Sequence, residues 1–269
     1  MTLRSALSVA ANRLLCNAGA FLTPQSDPSA VRSLVRSLSP RSTDRPLIRL
    51  GPDGDGGYLV PDDFDGIRAC FSPGVSLVSG FERACADLGM QVYLADASVV
   101  GPAEHHQNFH FTRKFLGVTS DATFMTLDNW VSASMPDPEG DLILQIDIEG
   151  FEYEVLLAMS DGLQRRLRII VVEFHALEEL WNRPWFGIVS RVFAKLAQTH
   201  VCVHIHPNNS RGVLELNGLS IPRDAEFTFL RRDRISHSEA ARIFPHPLDH
   251  DCTSVPTPPL PACWIDATP

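Results

Sequence analysis

Asp147, Glu149, Glu173 and His175 are the residues of this sequence best suited to chemistry. Asp147 and Glu149 follow the apolar run Leu142-Ile143-Leu144-Gln145-Ile146. Glu173 and His175 close the run Arg168-Ile169-Ile170-Val171-Val172. Carboxylates and an imidazole can take up a substrate proton or hold a divalent cation. Two short apolar runs separated by a helical stretch read as buried parallel strands of a βαβ unit. In an open α/β sheet, ligands sit beyond the carboxyl ends of the strands. The four side chains are therefore expected to line one crevice. A single strand-end carboxylate often just caps the next helix. Two neighbouring strands ending the same way point beyond capping.

The elements that position these residues follow from the rest of the chain. Residues 67–71 form an apolar strand, followed by the loop Ser72-Pro73-Gly74-Val75-Ser76 and a helix over 77–88 that Gly89 ends. Residues 90–95 form a second strand, and Asp96 stands at its end. Strand, glycine turn, helix, strand and acid make the first half of a nucleotide-binding fold. The 22 residues from Gly74 to Asp96 suit a carboxylate that accepts from ribose hydroxyls. The loop has one glycine, and Pro73 removes a backbone donor, so a nucleoside fits better than a dinucleotide pyrophosphate. Upstream, Asp53-Gly54-Asp55-Gly56-Gly57-Tyr58 reads as a hairpin turn between two apolar strands. Without side chains, Gly56 and Gly57 would let backbone approach a ligand closely.

A third strand is expected over 109–117 and a sixth over 201–209, where His204 and His206 share one face and Asn208 reaches the crevice. Residues 226–231 form a last strand with no long helix before it, so it must pair antiparallel, as a hairpin partner at the sheet edge. The expected fold is α/β. It is a Rossmann-like, seven-stranded, mostly parallel sheet with an antiparallel last strand and helices on both faces. Around this domain, placed at 46–235, stand a helical appendage at 1–45 and a Pro-rich tail at 236–269 that wraps the domain or hangs free. The N-terminal helices could also serve as an oligomer contact.

Composition narrows the function. The net charge of -9 argues against nucleic acid and against anionic membranes, both of which demand a basic surface. No apolar run is long enough to span a bilayer. The six cysteines are scattered with no C-x-x-C pair, and Cys70 and Cys202 lie in apolar runs, as buried thiols of a reducing compartment would. The expected location is the cytoplasm. The first 25 residues contain no acid, with Arg4 and Arg13 among Ala, Leu and Ser. They read as an amphipathic helix, although an organelle transit peptide has a similar composition.

Several pieces together resemble a known family: Asp55-Gly56-Gly57-Tyr58, the loop ending in Gly74, Asp96, Thr126-Leu127-Asp128, Ile146-Asp147-Ile148-Glu149-Gly150-Phe151-Glu152 and Val172-Glu173. Over roughly residues 47–232 the chain resembles the FkbM-like branch of the class I S-adenosylmethionine-dependent methyltransferases. The resemblance implies S-adenosylmethionine as cofactor and methyl transfer to a hydroxyl of a small molecule or carbohydrate. It implies cofactor contacts from Asp55, Gly56, Gly57, Tyr58, Ser72, Gly74, Asp96 and Ala97. Asp147, Glu173 or His175 would then be the base. Asp147 and Glu173 could instead seat magnesium, or a softer divalent metal with His206. A catalytically silent binding module is the competing reading. An NAD-dependent oxidoreductase is disfavoured by the single loop glycine.

Overall fold

The computed structural model describes residues 12, 15–17 and 19–265. The expected first N-terminal helix falls almost wholly outside them. The second is α1 (Pro28–Ser37), whose first turn is capped by the Asp27 carboxylate accepting from Ser29 N. Next come β1 (Arg41–Thr43), the hairpin strands β2 (Leu47–Leu50) and β3 (Tyr58–Pro61), β4 (Ile67–Pro73), α2 (Gly80–Asp87) and β5 (Gln91–Ala95). They are followed by β6 (Phe109–Thr112), β7 (Phe115–Leu116), β8 (Phe124–Met125), α3 (Leu127–Ser134) and β9 (Asp141–Ile146). Then come α4 (Glu152–Ala158), α5 (Asp161–Arg166), β10 (Leu167–Phe174), α6 (Arg183–Thr199) and β11 (His200–Pro207). The chain closes with β12 (Val213–Leu216), β13 (Leu219–Pro222), β14 (Ala225–Arg231) and β15 (Ser238–Ala240).

The central sheet has seven strands in the order β11-β14-β10-β9-β4-β5-β6. β14 runs antiparallel to both of its neighbours, and the other pairs are parallel. All seven strands expected from the sequence are present. The correction concerns β14. It lies between β10 and β11, not at the edge, and β11 is the edge strand. Its side chains explain the interior place: Ala225 to Leu230 are all buried, which an edge strand with one face to solvent would not need.

Both faces of the sheet are covered. One carries the larger core, with Trp130 of α3, Tyr153 and Leu156 of α4, Val192 and Phe193 of α6, and Val31 and Val35 of α1. Leu260 and Trp264 of the C-terminal tail belong to the same core. The other face carries α2, through Phe81 and Cys85, and the β2–β3 hairpin, through Leu50, Tyr58 and Val60. The helix expected after β9 is two helices, because Ser160 caps α5 through Leu163 N. Ser160 is itself held by the Asp128 carboxylate.

The described parts of the segments outside residues 46–235 pack onto this body. β1 pairs antiparallel with β15. Ser26 N donates to Trp181 O, and Arg183 N to Pro24 O. The tail runs back over the β11 edge, where Asp249 accepts from His204 at 2.9 Å and Asn209 bonds to Thr253 and Val255.

Candidate active site

At the carboxyl edge of the sheet, β4, β9 and β10 end side by side and their loops enclose two adjoining cavities. The first, about 440 Å³, is lined by Asp96, Ser98, Phe115, Leu116, Phe124, Ile148 and Phe151. The second, about 300 Å³, is polar and is lined by Asp55, Gly56, Tyr58, Glu82, Gln145, Glu173, His175, Asn208, Arg211 and Asp224, among others. Gly74, Ser76, Asp147 and Glu149 border both. One cavity thus offers apolar and aromatic walls with Asp96 on the side away from the junction, the other a set of carboxylates around an imidazole.

Gly74 allows the two loops to meet. It has φ +93°, and a Cβ there would strike the backbone carbonyl of Asp147. Its missing side chain serves the approach of β4 to β9 as well as the cavity wall. Asp96 is also tied locally: Oδ2 accepts from Val75 N at 3.1 Å, and Oδ1 accepts from Ser98 N and Oγ at 2.6 Å. The carboxylate is therefore held at the mouth of the apolar cavity, with lone pairs left for a ligand.

The turn after β9 is shaped by Glu152. Its Oε1 accepts from Ile148 N at 2.9 Å and Gly150 N at 3.0 Å, and the side chain is fully buried. Glu149, between those two residues, takes φ 57°, a conformation uncommon outside glycine. The same Glu152 oxygen lies 3.1 Å from His175 Nδ1. That contact aims Nε2 at the cavity, 3.7 Å from Glu149, 3.8 Å from Asp147 and 4.0 Å from Glu173. A carboxylate that orients an imidazole is the arrangement by which catalytic histidines are commonly held.

The charges interact strongly. Burial pushes the Asp147 carboxyl up to about 7, with His175 opposing and Glu149 adding. Burial also raises Glu173 well above the carboxylate range, reinforced by Asp147 and Glu226. Burial alone would lower His175, but the Glu152 hydrogen bond and the surrounding carboxylates overcome it and lift the imidazole to about 9. Near neutral pH the group holds an imidazolium and a pair of carboxyls competing for a proton.

A buried chain of hydrogen bonds runs through the floor of the polar cavity. Ser72 Oγ lies 2.5 Å from Glu82 Oε1 and 2.6 Å from Gln145 Oε1. One hydroxyl hydrogen serves one acceptor only. Burial raises the Glu82 carboxyl while the Ser72 hydroxyl, donating toward it, opposes that rise. Gln145 Nε2 then donates to Tyr58 OH at 3.3 Å.

Of the residues expected from the sequence, Asp147, Glu149, Glu173 and His175 meet at the polar cavity, where Asp55, Gly56 and Tyr58 also stand, while Asp96 lines the apolar cavity and Gly74 borders both. Three expected cofactor contacts do not line either cavity. Ser72 is fully buried below the floor. Ala97 lies off the wall, turned aside by the Asp96–Ser98 turn. Gly57 packs against its own turn, where a Cβ would meet Pro52 O and the Arg49 guanidinium. The proposed metal set of Asp147, Glu173 and His206 is not assembled. His206 is buried behind the wall with Nδ1 3.5 Å from Glu226. Among the described residues the group that converges is Asp147, Glu149 and His175, with ligand atoms within 4.8 Å of one another. His175 already supplies a positive charge there, so a divalent cation would have to displace its proton. Gln145, Glu82, Glu152, Arg211 and Asp224 were not singled out from sequence. Gln145 was detectable as the one polar residue inside an apolar run, and Glu152 as the third acid of its segment.

The fold is a Rossmann-like, seven-stranded, mostly parallel α/β sheet with one antiparallel strand inserted beside the last parallel one, and a cavity of about 440 Å³ at the ends of its first strands. Residues 84–202 match the family described as Methyltransferase FkbM domain. That segment is similar to the family, and the match spans less than half of the chain. No curated protein matches the chain. Among solved structures it is similar to the N-methyltransferase NodS from Bradyrhizobium japonicum WM9, at 12% identity and TM-score 0.34, over 62% of this chain and 87% of that one. It is also similar to TrmN from Thermus thermophilus, at 13% identity and TM-score 0.29, over 61% of this chain and 44% of that one. No helix among the described residues is long and apolar enough to cross a membrane.

Proposed function

We infer that the protein transfers a methyl group from S-adenosylmethionine to a hydroxyl of a small molecule or sugar. The observation that carries this reading is the meeting of the two cavities at Gly74 and Asp147. The apolar cavity suits an adenine among Phe115, Leu116, Ile148 and Phe151, with Asp96 positioned for the ribose hydroxyls. When bound, the cofactor supplies an electrophilic methyl on a sulfonium centre.

The chain's own residues then hold the acceptor and take its proton. The polar cavity has carboxylates, Asn208 and Arg211 but few apolar walls, which favours a hydrophilic, hydroxylated acceptor. Asp147 stands at the junction with a proton affinity near neutrality, the range in which a general base works best. Glu173, held by Asn208 Nδ2 at 2.7 Å, shares its proton. His175, oriented by Glu152, keeps positive charge beside the developing carboxylic acid. A positioned base contributes roughly 10²–10⁴-fold to rate.

The test is methyl transfer from labelled S-adenosylmethionine to a panel of sugars and polyols, with Asp147→Asn and Glu173→Gln as controls. Asp147→Asn should lose most turnover while S-adenosylmethionine affinity stays within a few-fold. Full activity in both variants would remove the assignment. Activity lost to EDTA and restored by magnesium or manganese would replace the general base with a metal.

A further inference from the structure

The chain carries 32 acidic and 23 basic residues, yet one cavity away from the candidate active site has no carboxylate in its lining. It measures about 290 Å³ and lies between β1, the β11 edge and the segment after β15. Its polar wall includes Arg41, Thr43, Arg45, His204, Arg242 and His246. It shares no residue with the two cavities described above.

The hydrogen-bond donors of the arginines are largely unspent. Each guanidinium has five N–H donors, no acceptor and a permanent charge. Arg41 uses one donor on Ser238 O at 3.2 Å. Arg45 reaches only Asp63, at 4.0 Å. Asp63 is already engaged by Arg234 at 2.7 and 2.8 Å and by Arg168 at 3.6 Å. Arg168 also holds Asp141 at 2.6 Å, so Asp63 is bonded chiefly to Arg234 and meets Arg45 only at 4.0 Å. The Nε of Arg45 is moreover buried with no partner, and a buried donor without an acceptor is costly. Arg242 is exposed and makes no ion pair among the described residues. His204 is bonded to the buried Asp249 carboxylate at 2.9 Å. A second cavity of about 290 Å³ adjoins through Arg41 and adds Arg36 and Arg232, again with no carboxylate in its lining.

We propose that the cavity between β1, β11 and residues 241–246 binds a small phosphate-bearing molecule, its oxyanion held by Arg41, Arg45 and Arg242. Planar guanidiniums with free donors match phosphate oxygens in pairs. The ligand is small because the basic surface is a pair of narrow cavities on an acidic chain. A nucleic acid needs an extended basic face.

Calorimetric titration of the full-length chain at low salt with inorganic phosphate, and separately with pyrophosphate, tests this. Saturable one-to-one binding is expected. Losing one charge-assisted contact should weaken it by roughly tenfold or more in Arg242→Ala and in Arg45→Gln. S-adenosylmethionine affinity should be unchanged in both. Arg242 is exposed and makes no ion pair among the described residues, so Arg242→Ala carries the test even where Arg45→Gln disturbs the Asp63 cluster. No saturable binding of either anion overturns the proposal. Undiminished binding in Arg242→Ala overturns it as well. So does association with phosphatidylserine vesicles in the absence of binding to the soluble anions.

Discussion

Replacing His175 with glutamine removes the one cation enclosed by Asp147, Glu149, Glu152 and Glu173. At separations of 3.1–4.0 Å, each unit pair attracts by about 4 kcal/mol at an effective dielectric near 20, before desolvation is charged against it. The net is far smaller and can be read from the imidazole itself, whose pKa rises from 6.5 to about 9. At 1.36 kcal/mol per pKa unit this amounts to about 3 kcal/mol. Sharing of protons with Asp147 reduces the part visible in one variant to about 2–3 kcal/mol. The folded-state value lies above the unfolded one. The stabilisation is therefore fully present below pH 6.5 and is lost as pH rises through about 9. His175→Gln should thus cost about 2–3 kcal/mol more at pH 6 than at pH 10, or roughly 5–10 °C in Tm for a protein of this size. Thermal unfolding of both proteins in matched buffers from pH 6 to pH 10 measures this without any knowledge of the acceptor. Curves that stay parallel across the range would refute the picture of an imidazolium held among these four acids.

Glu152→Gln should bring the His175 pKa down from about 9 toward 6.5, followed by the histidine ring resonances in NMR; an unmoved pKa would show that Glu152 does not control the ring. Asp96→Asn should weaken S-adenosylmethionine binding by roughly tenfold, the worth of a charged hydrogen bond, with little change in Tm, and calorimetry reads both sides of that claim. Gly74→Ala should lower stability and cofactor affinity together, because its Cβ would collide with the Asp147 carbonyl; a stable variant that still binds would show that the two loops can separate.

The fold was legible because its strands are buried on both faces and so appear as unbroken apolar runs such as 142–146 and 169–172. Their order in space was less so. The interior place of β14 depends on how β10 and β11 leave room for it, which no local pattern records. In the site, Asp147, Glu149, Glu173 and His175 were legible because strand ends face a known side of the sheet. Ser72 and Gly57 were misplaced for a common reason. Proximity in sequence to a cavity does not say whether a side chain lines it or supports it. Ser72 turns inward to Glu82 and Gln145, and Gly57 is required by Pro52 and Arg49. His206 was drawn toward the crevice by alternation alone, while Glu226 on the neighbouring strand holds it within the wall. The basic cavity was invisible because Arg41, Arg45 and Arg242 come from opposite ends of the chain.

The interior position of β14 has a consequence for how the protein is made. A ribosome delivers β10 and β11 well before Ala225–Arg231. Until that segment emerges, β11 has no partner in the central sheet and β10 presents a bare edge with the apolar run Ile169–Val172 at its centre. Such an edge recruits other strands, including those of neighbouring nascent chains. Translational pausing or truncation between residues 208 and 224 would therefore leave the emerging chain open to aggregation, whereas a stop beyond residue 231 would find the seven-stranded sheet already complete.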